Sequence, residues 1–545
     1  MNTAKSPQTV MSMSPTWRHW VASPYAAITI QLPLLAIVAY HNRDAINPDA
    51  ISYLRIGSYY ASGKFSLVVS GQWSPLLSWL VAPLIAVSID PLIAGRLAMA
   101  ISSILYAIGS IYLAKQLRMP EHILCLAGWI SAGLGLCFGM TVISPDVLVS
   151  ALLAFAFGSL VDDRWIQSRK RQFVTGLLFG LAYLAKAVAL PIGAISIVAA
   201  ALSLVAAGQA TLRIACTAAV VSLVGTLVAA GPWIAALSLK FGQFTISTAA
   251  ATAHRIVSPP PGPPPMDYAI PEAGRLSNWE VGGIVRNDWS PFDSASHFIH
   301  QLHIIARNIQ YILQNLRAFD LLGVGLIGAL YAATIVIPFR SDRMPRLSWQ
   351  LSCVPILLLT VAYLPSYASD VRYMFPAYPF LTVSALGVLA AVQSTLPSPF
   401  RRSLLAIVVA GSFAAGIGLN LASGWTNNVS VEFQSAKEIA KDLRIAGING
   451  PVASGGTGIS SVEGLVLAFV MDIPWYGHSN DESSPDRILA SGAKVLLVEE
   501  HSALSSALRN SPALRLLPRT PNLAWSSQIL VFVRDAGKPP APLPK

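Results

Sequence analysis

The stretch "GQWSPLLSWLVAPLIAVSID", residues 71–90, decides the fold. It is apolar enough to cross a bilayer. If it crossed, every basic loop after it would move to the other side of the membrane. Lys and Arg gather in short cytoplasmic loops, so the basic residues test the choice. Lys5 and Arg18 precede the first apolar run, Lys115 and Arg118 follow the second, and Arg164, Arg169, Lys170 and Arg171 crowd "DDRWIQSRKR". Arg213, then Arg340, Arg343 and Arg346, then Arg401 and Arg402 complete the series. All share the inner side only if 71–90 does not span. Its Trp73, Trp79, Pro75 and Pro83 suit a juxtamembrane or re-entrant helix on the outer side.

The composition demands a membrane. Of 545 residues, 54% are hydrophobic and 12% charged, against about 25% charged in soluble chains, and the mean hydropathy is +0.57. The net charge of +11 is therefore read through topology, and no nucleic-acid partner is expected. Cys125, Cys137, Cys216 and Cys353 lie in or beside apolar runs, which excludes a disulfide framework and a paired-cysteine metal site. The nine histidines show no HExxH spacing. No metal site and no cofactor is assigned; a divalent ion has no support in the residues. The start, "MNTAKSPQTVMSMSPTWRHW", leads into an uncleaved anchor.

A span needs about 20 mostly apolar residues. Runs at about 24–40, 92–114, 122–141, 145–161, 172–187, 188–207, 213–238, 318–339, 349–365, 373–394 and 403–422 meet or approach that length. The expected architecture is a polytopic α-helical membrane protein of about eleven spans with a small C-terminal α/β domain. Residues 1–23 form a cytoplasmic N-terminus and 24–422 the membrane domain, with outer loops at 41–91 and 239–317. Residues 423–545 form an extracytoplasmic domain, in which "SAKEIAKDLRIAG" reads as an amphipathic helix and "AKVLLVEE" and "SQILVFVRD" as buried strands. "PPPGPPP" at 259–265 is a stiff spacer, "SGGTG" at 454–458 a turn without the Lys-Ser/Thr of a phosphate loop, and "GKPPAPLPK" a disordered end.

This topology collects ionisable groups on the outer side: Asp44, Asp49 and Arg55 in "NRDAINPDAISYLRIG", Asp146 in "VISPDVLVS", Lys186 in "GLAYLAKAVALP", and Asp370, Arg372 and Tyr373 in "SYASDVRYMFPAYPF". Charges at membrane depth are costly and usually serve a cavity. Each has an ordinary alternative. Asp49 reads equally as a helix N-cap, Asp146 reads first as the cap of the span after it, Lys186 can snorkel, and Arg372 can simply pair with Asp370.

The order of these elements carries a resemblance. The acidic first outer loop, the Trp/Pro-containing helix, "AGRLAMAISSILYAIGSIYLAKQL", "SPDVLV", "GLLFGLAYLAKAVALP" and "VRYMFPAYPFLTVSALG" together resemble GT-C membrane glycosyltransferases. The pattern is similar to the protein O-mannosyltransferase and lipid A aminoarabinose transferase superfamily and covers most of 24–422. The resemblance implies an enzyme of the bacterial inner membrane that moves a hexosyl or pentosyl group from a polyprenyl-phosphate donor to a lipid, glycan or protein acceptor on the periplasmic face. Asp49 matches the family's catalytic acid. Asp146 matches its Pro-Asp element, Lys186 its Gly-Leu-x-x-Leu-x-Lys element, and Arg372 and Tyr373 its Arg-Tyr element; with Asp44 and Arg55 these are the expected substrate-binding residues. The sequence departs from the family at Ala50, where a second acid is usual, and at "GQWSPLL", where His-Pro-Pro is usual. A lipid transporter or flippase and a non-catalytic envelope assembly subunit are the rival readings. Inverted repeats, which would favour transport, are not seen.

Overall fold

The computed structural model describes residues 23–260, 268–282, 289–318, 346–426, 431–456, 459–479, 485–518 and 529–534. The N-terminal segment, all but the first residue of the apolar run at 318–339, Arg340 and Arg343, most of the proline run, part of "SGGTG" and the "GKPPAPLPK" end lie outside the described residues.

The chain opens with α1 (Ala26–His41) and α2 (Pro48–Ala61), followed by α3 (Leu76–Ala86). Helix α3 is the core of the 71–90 stretch, and it has 11 residues. At 1.5 Å per residue it is about 17 Å long, roughly half of a hydrocarbon core, so it is too short to cross. It ends at Ala86, and Ser88 just beyond it adopts a left-handed φ of 66°. Asp90 then caps the next helix, accepting hydrogen bonds from the Leu92 and Ile93 amides at 2.9 and 3.3 Å, with Pro91 in the first helical turn.

The bundle continues through α4 (Pro91–Gln116), α5 (Glu121–Thr141), α6 (Asp146–Leu160), α7 (Arg169–Ala185), α8 (Ala189–Ala206), α9 (Leu212–Phe241), α10 (Ala249–Ile256) and α11 (Ala295–Arg317). After α12 (Arg346–Ser352) and α13 (Val354–Tyr363), a 3₁₀ turn at Val371–Ala377 leads into α14 (Tyr378–Thr395) and α15 (Pro399–Thr426). Among the described residues, six helices are long and apolar enough to cross a membrane: 91–116, 121–139, 189–206, 212–241, 371–395 and 399–425. The expected spans at 24–40, 145–161 and 172–187 are helical but shorter, and the one at 349–365 is broken into α12 and α13.

Two kinds of surface mark the bundle. Ile195, Val198, Leu202, Val220, Leu227 and Ile407 are large, apolar and exposed, which suits contact with lipid. Inside, small residues let helices approach closely. A Cβ at Gly176 of α7 would lie 1.8 Å from the Ser222 carbonyl oxygen of α9, and Gly180 meets the same helix one turn on at Ala229 and Thr226. This is the small-residue packing of membrane helices. Gln31 ties α1 to α5 by donating to the Ala132 carbonyl at 3.0 Å.

The C-terminal part is α/β. Helix α16 (Val431–Ile445) is followed by β1 (Val452–Gly455), α17 (Ile459–Met471), β2 (Trp475–Ser479), α18 (Pro485–Ala490), β3 (Val495–Glu499), α19 (Ala503–Arg509), β4 (Leu514–Leu516) and β5 (Ile529–Arg534). The sheet order is β2-β1-β3-β5-β4, with β1 parallel to β2 and β3, and β5 antiparallel to β3 and β4. Both strands expected from "AKVLLVEE" and "SQILVFVRD" form, and both are almost wholly buried. The sheet is stitched to the membrane part by the segment before Glu280. The Ala269 amide donates to the Tyr476 carbonyl at 2.9 Å, and the Trp475 amide donates to the Leu276 carbonyl at 2.7 Å.

Candidate active site

Asp49 lies in the first turn of α2, one residue after Pro48. Proline suits a first helical position because its missing N–H would have no partner there. The N-cap is Asn47, whose side chain makes no cap bond; its Oδ1 instead accepts from the Ile143 amide at 3.0 Å. Asp49 is therefore not a cap. Its Oδ2 accepts from Arg372 Nη1 at 2.6 Å across 323 residues of sequence.

Arg372 is a bridge. Its Nε lies 2.8 Å from Asp370 Oδ2 while Nη1 holds Asp49, and its guanidinium sits 5.4 Å from the Tyr373 ring. The 3₁₀ turn aims it: Asp370 caps that turn by accepting from the Arg372 amide at 3.1 Å. The expected Asp370–Arg372 pair exists, with Asp49 as a second partner.

Asp146 begins α6 but is likewise no cap, since Pro145 precedes the helix without a side-chain cap bond. Its Oδ1 receives Lys186 Nζ at 2.5 Å and its Oδ2 accepts from the Ser144 hydroxyl at 2.8 Å. Lys186 stands where α7 ends, and its Nζ lies 4.9 Å from the Tyr373 ring and 5.8 Å from the Tyr363 ring. It turns inward rather than snorkelling. The two ion pairs thus meet around Tyr373. Asp49, Asp146, Lys186, Arg372 and Tyr373, drawn from four separate segments, form one cluster.

Tyr53 and Tyr363 join the same cluster and were not singled out in the sequence. Tyr53 follows Asp49 by four residues, so it shares a helix face, and that spacing was the available signal. Burial, aided by the Asp49 charge, pushes the Tyr53 phenol above its ordinary value, so it remains an O–H donor beside the charges of Lys186, Asp146 and Arg372. Tyr363 has no local signal.

Two expected residues lie elsewhere. Asp44 Oδ1 accepts from Lys437 Nζ of α16 at 2.8 Å, and Arg55 Nη1 donates to Asp472 Oδ1, just beyond α17, at 2.6 Å. Both face the C-terminal part rather than the Asp49 cluster. Near Arg55, the Tyr59 hydroxyl donates to the fully buried Glu280 at 2.6 Å. Burial pushes the Glu280 carboxyl up, and the opposing pull of the Tyr59 bond and of Arg55 and Arg275 does not cancel it.

The other end of the bundle is built differently. Arg118 pairs with Asp163, and Asp162 holds both Arg164 and Arg171. Burial alone would raise the Asp162 carboxyl, but bonds from Arg164 and the charge of Arg171 hold it below the usual range. A cavity of about 590 Å³ opens there, lined in part by Arg118, Asp162, Trp165, Gln209 and Ser348. Its lining contains none of the clustered residues. Among the described residues, no group of three or more His, Cys, Asp or Glu side chains is placed to hold a metal ion.

No family model and no curated protein matches the chain. Solved structures do match. ArnT from Cupriavidus metallidurans bound to undecaprenyl phosphate aligns with a TM-score of 0.59 at 15% identity, covering 96% of this chain and 99% of that one. Its apo form aligns with a TM-score of 0.59 at 14% identity, covering 95% and 98%. The chain has the GT-C fold. The archaeal oligosaccharyltransferase AglB from Archaeoglobus fulgidus, in complex with an inhibitory peptide and a dolichol-phosphate, aligns with a TM-score of 0.51 at 11% identity, covering 89% and 70%. The alignment with ArnT takes in the helical bundle, the short helix α3 and the C-terminal sheet, since it covers 96% of the chain.

Proposed function

We propose that this chain is a glycosyltransferase of the bacterial inner membrane that moves a sugar from a polyprenyl-phosphate donor to an acceptor on the periplasmic face. The observation that carries the reading is the convergence of Asp49, Asp146, Lys186 and Arg372 on Tyr373 at one end of the bundle. The GT-C fold, and the lipid phosphates bound by ArnT and AglB in the structures named above, add support. In this reading the N-terminus is cytoplasmic and residues 423–545 are an extracytoplasmic domain, as the basic loops require.

The chemistry follows from the charges. A polyprenyl-phosphate sugar brings an anionic leaving group to the membrane surface while its apolar chain stays in lipid. The acceptor hydroxyl attacks the anomeric carbon, its O–H proton passes to the Asp49 carboxylate, and the sugar–phosphate C–O bond breaks. The departing phosphate takes the electron pair, and Lys186 and Arg372 neutralise it. Both cations are held in the resting protein by carboxylates, Lys186 by Asp146 and Arg372 by Asp49 and Asp370. Both cations lie near the Tyr373 ring, Lys186 at 4.9 Å and Arg372 at 5.4 Å. A candidate proton acceptor and two candidate phosphate ligands are thus gathered about one tyrosine, which transfer needs and passive translocation does not.

The test is Asp49→Asn, which keeps size and removes the base. Purified variant is assayed with a radiolabelled polyprenyl-phosphate sugar and membrane acceptors. Loss of at least about a hundredfold in rate is expected for a general base. A well-folded variant that transfers at the unmutated rate rejects the assignment.

A further inference from the structure

Helix α2 carries Asp49, and it is gripped from outside the membrane part. Asp44, just before the helix, binds Lys437 of α16 at 2.8 Å; Arg55, within it, binds Asp472 beyond α17 at 2.6 Å. Helix α17 packs against α2. The two pairs bracket Asp49 in sequence, one on each side.

The Asp472 position is informative. It follows α17 in a left-handed conformation, φ 56°, and the next amide, Ile473, bonds back to the Ala468 carbonyl at 3.0 Å. That is the helix-ending turn in which glycine is the usual residue, because a side chain is disfavoured there. An aspartate at this point puts a carboxylate on Arg55 at the cost of backbone strain. The pair adds little to stability, since the Asp472 side chain is 73% exposed and exposed ion pairs contribute weakly. Its consequence is geometric: it ties the Arg55 side of α2 to the end of α17. Arg55 is six residues from Asp49, about 9 Å along the helix, so a displacement at Arg55 is passed rigidly to the carboxylate.

We infer that the C-terminal α/β part is a positioning clamp for Asp49, and that Arg55–Asp472 and Asp44–Lys437 are its positioning pairs. The inference rests on the transferase reading for what Asp49 does, but the grip on α2 is measurable without it. On this assignment Asp44 and Arg55 touch no substrate.

The experiment uses the full chain in lipid nanodiscs with Asp472→Asn, Lys437→Met and the double variant. Both changes lie on exposed side chains, 73% and 50%, and Asn tolerates the left-handed turn. Displacing a reacting group by about 1 Å costs up to about a hundredfold, so the double variant is expected to lose about tenfold in kcat, with the donor KM within about threefold. Hydrogen exchange across residues 48–61 is expected to quicken. Lys437→Arg in place of Lys437→Met keeps the charge and is expected to recover the loss due to that pair. Unchanged kcat and unchanged exchange in the double variant would overturn the clamp. So would a change confined to the donor KM, which would put these residues in substrate binding. If the unmutated protein transfers no sugar, the transferase reading fails alone and the exchange comparison still decides the clamp.

Discussion

Replacing Arg372 by alanine tests the charge cluster most severely. The guanidinium is mostly buried, 17% exposed, and it holds Asp49 at 2.6 Å and Asp370 at 2.8 Å. Opposite charges about 4 Å apart interact by roughly 4 kcal/mol at an effective dielectric of about 20. Asp49 and Asp370 retain side-chain exposures of 23% and 37%, and solvent screening therefore reduces the second pair most. Removing the cation leaves two carboxylates facing one another, at a stability cost near the low end of about 3–5 kcal/mol for a broken buried pair. The catalytic loss is separate. Losing one fixed donor to a developing anion costs about 10²–10³ in kcat, so Arg372→Ala is expected to fall in that range. Arg372→Lys restores the charge but not the two-pronged contact and should lie between. The assay is single-turnover transfer from a labelled polyprenyl-phosphate sugar, run beside thermal unfolding so that the two losses separate. A folded Arg372→Ala enzyme within about threefold of the unmutated rate would refute a role in leaving-group stabilisation.

Two other outcomes follow from the same geometry. Lys186→Met leaves Asp146, 2% exposed, without its counter-ion and should destabilise the fold by about 3–5 kcal/mol. Adding Asp146→Leu should recover most of the Tm but none of the transfer, whereas recovery of both would make the pair purely structural. The pH dependence of stability tests Glu280. Burial raises this carboxyl in the folded chain, so the folded state holds the proton more tightly than the unfolded one. This penalty is absent below the group's ordinary value, grows as pH rises towards the raised one, and is constant above it. Tm should fall across that window, and Glu280→Gln should remove this part of the slope; an unaltered slope in the variant would assign it to other groups.

Much of the architecture could be read along the chain because its signals are local. Runs of apolar residues mark spans wherever they occur, and the basic loops were enough to keep 71–90 from crossing; the 11-residue α3 agrees. The buried strands at Val495–Glu499 and Ile529–Arg534 announced themselves as short apolar runs. Span lengths were less legible. Hydropathy does not register the break between α12 and α13, or that α6 has 15 residues.

The sequence by itself determined that this chain is a multi-pass membrane protein, which of its segments are apolar, and which few ionisable side chains stand in or beside them. Whether Asp49 and Asp146 were helix caps or members of a charge cluster was decided only in three dimensions. Capping is a contact within three residues, so it can be guessed from neighbours. The contacts actually made, Asp49 to Arg372 and Arg55 to Asp472, span 323 and 417 residues. No local pattern encodes such partners, because they meet only after the helices have packed. The same physics set Asp44 and Arg55 against the C-terminal part: their charge was visible in the sequence, but Lys437 and Asp472, which they bind, lie in a part of the chain that only folding brings near.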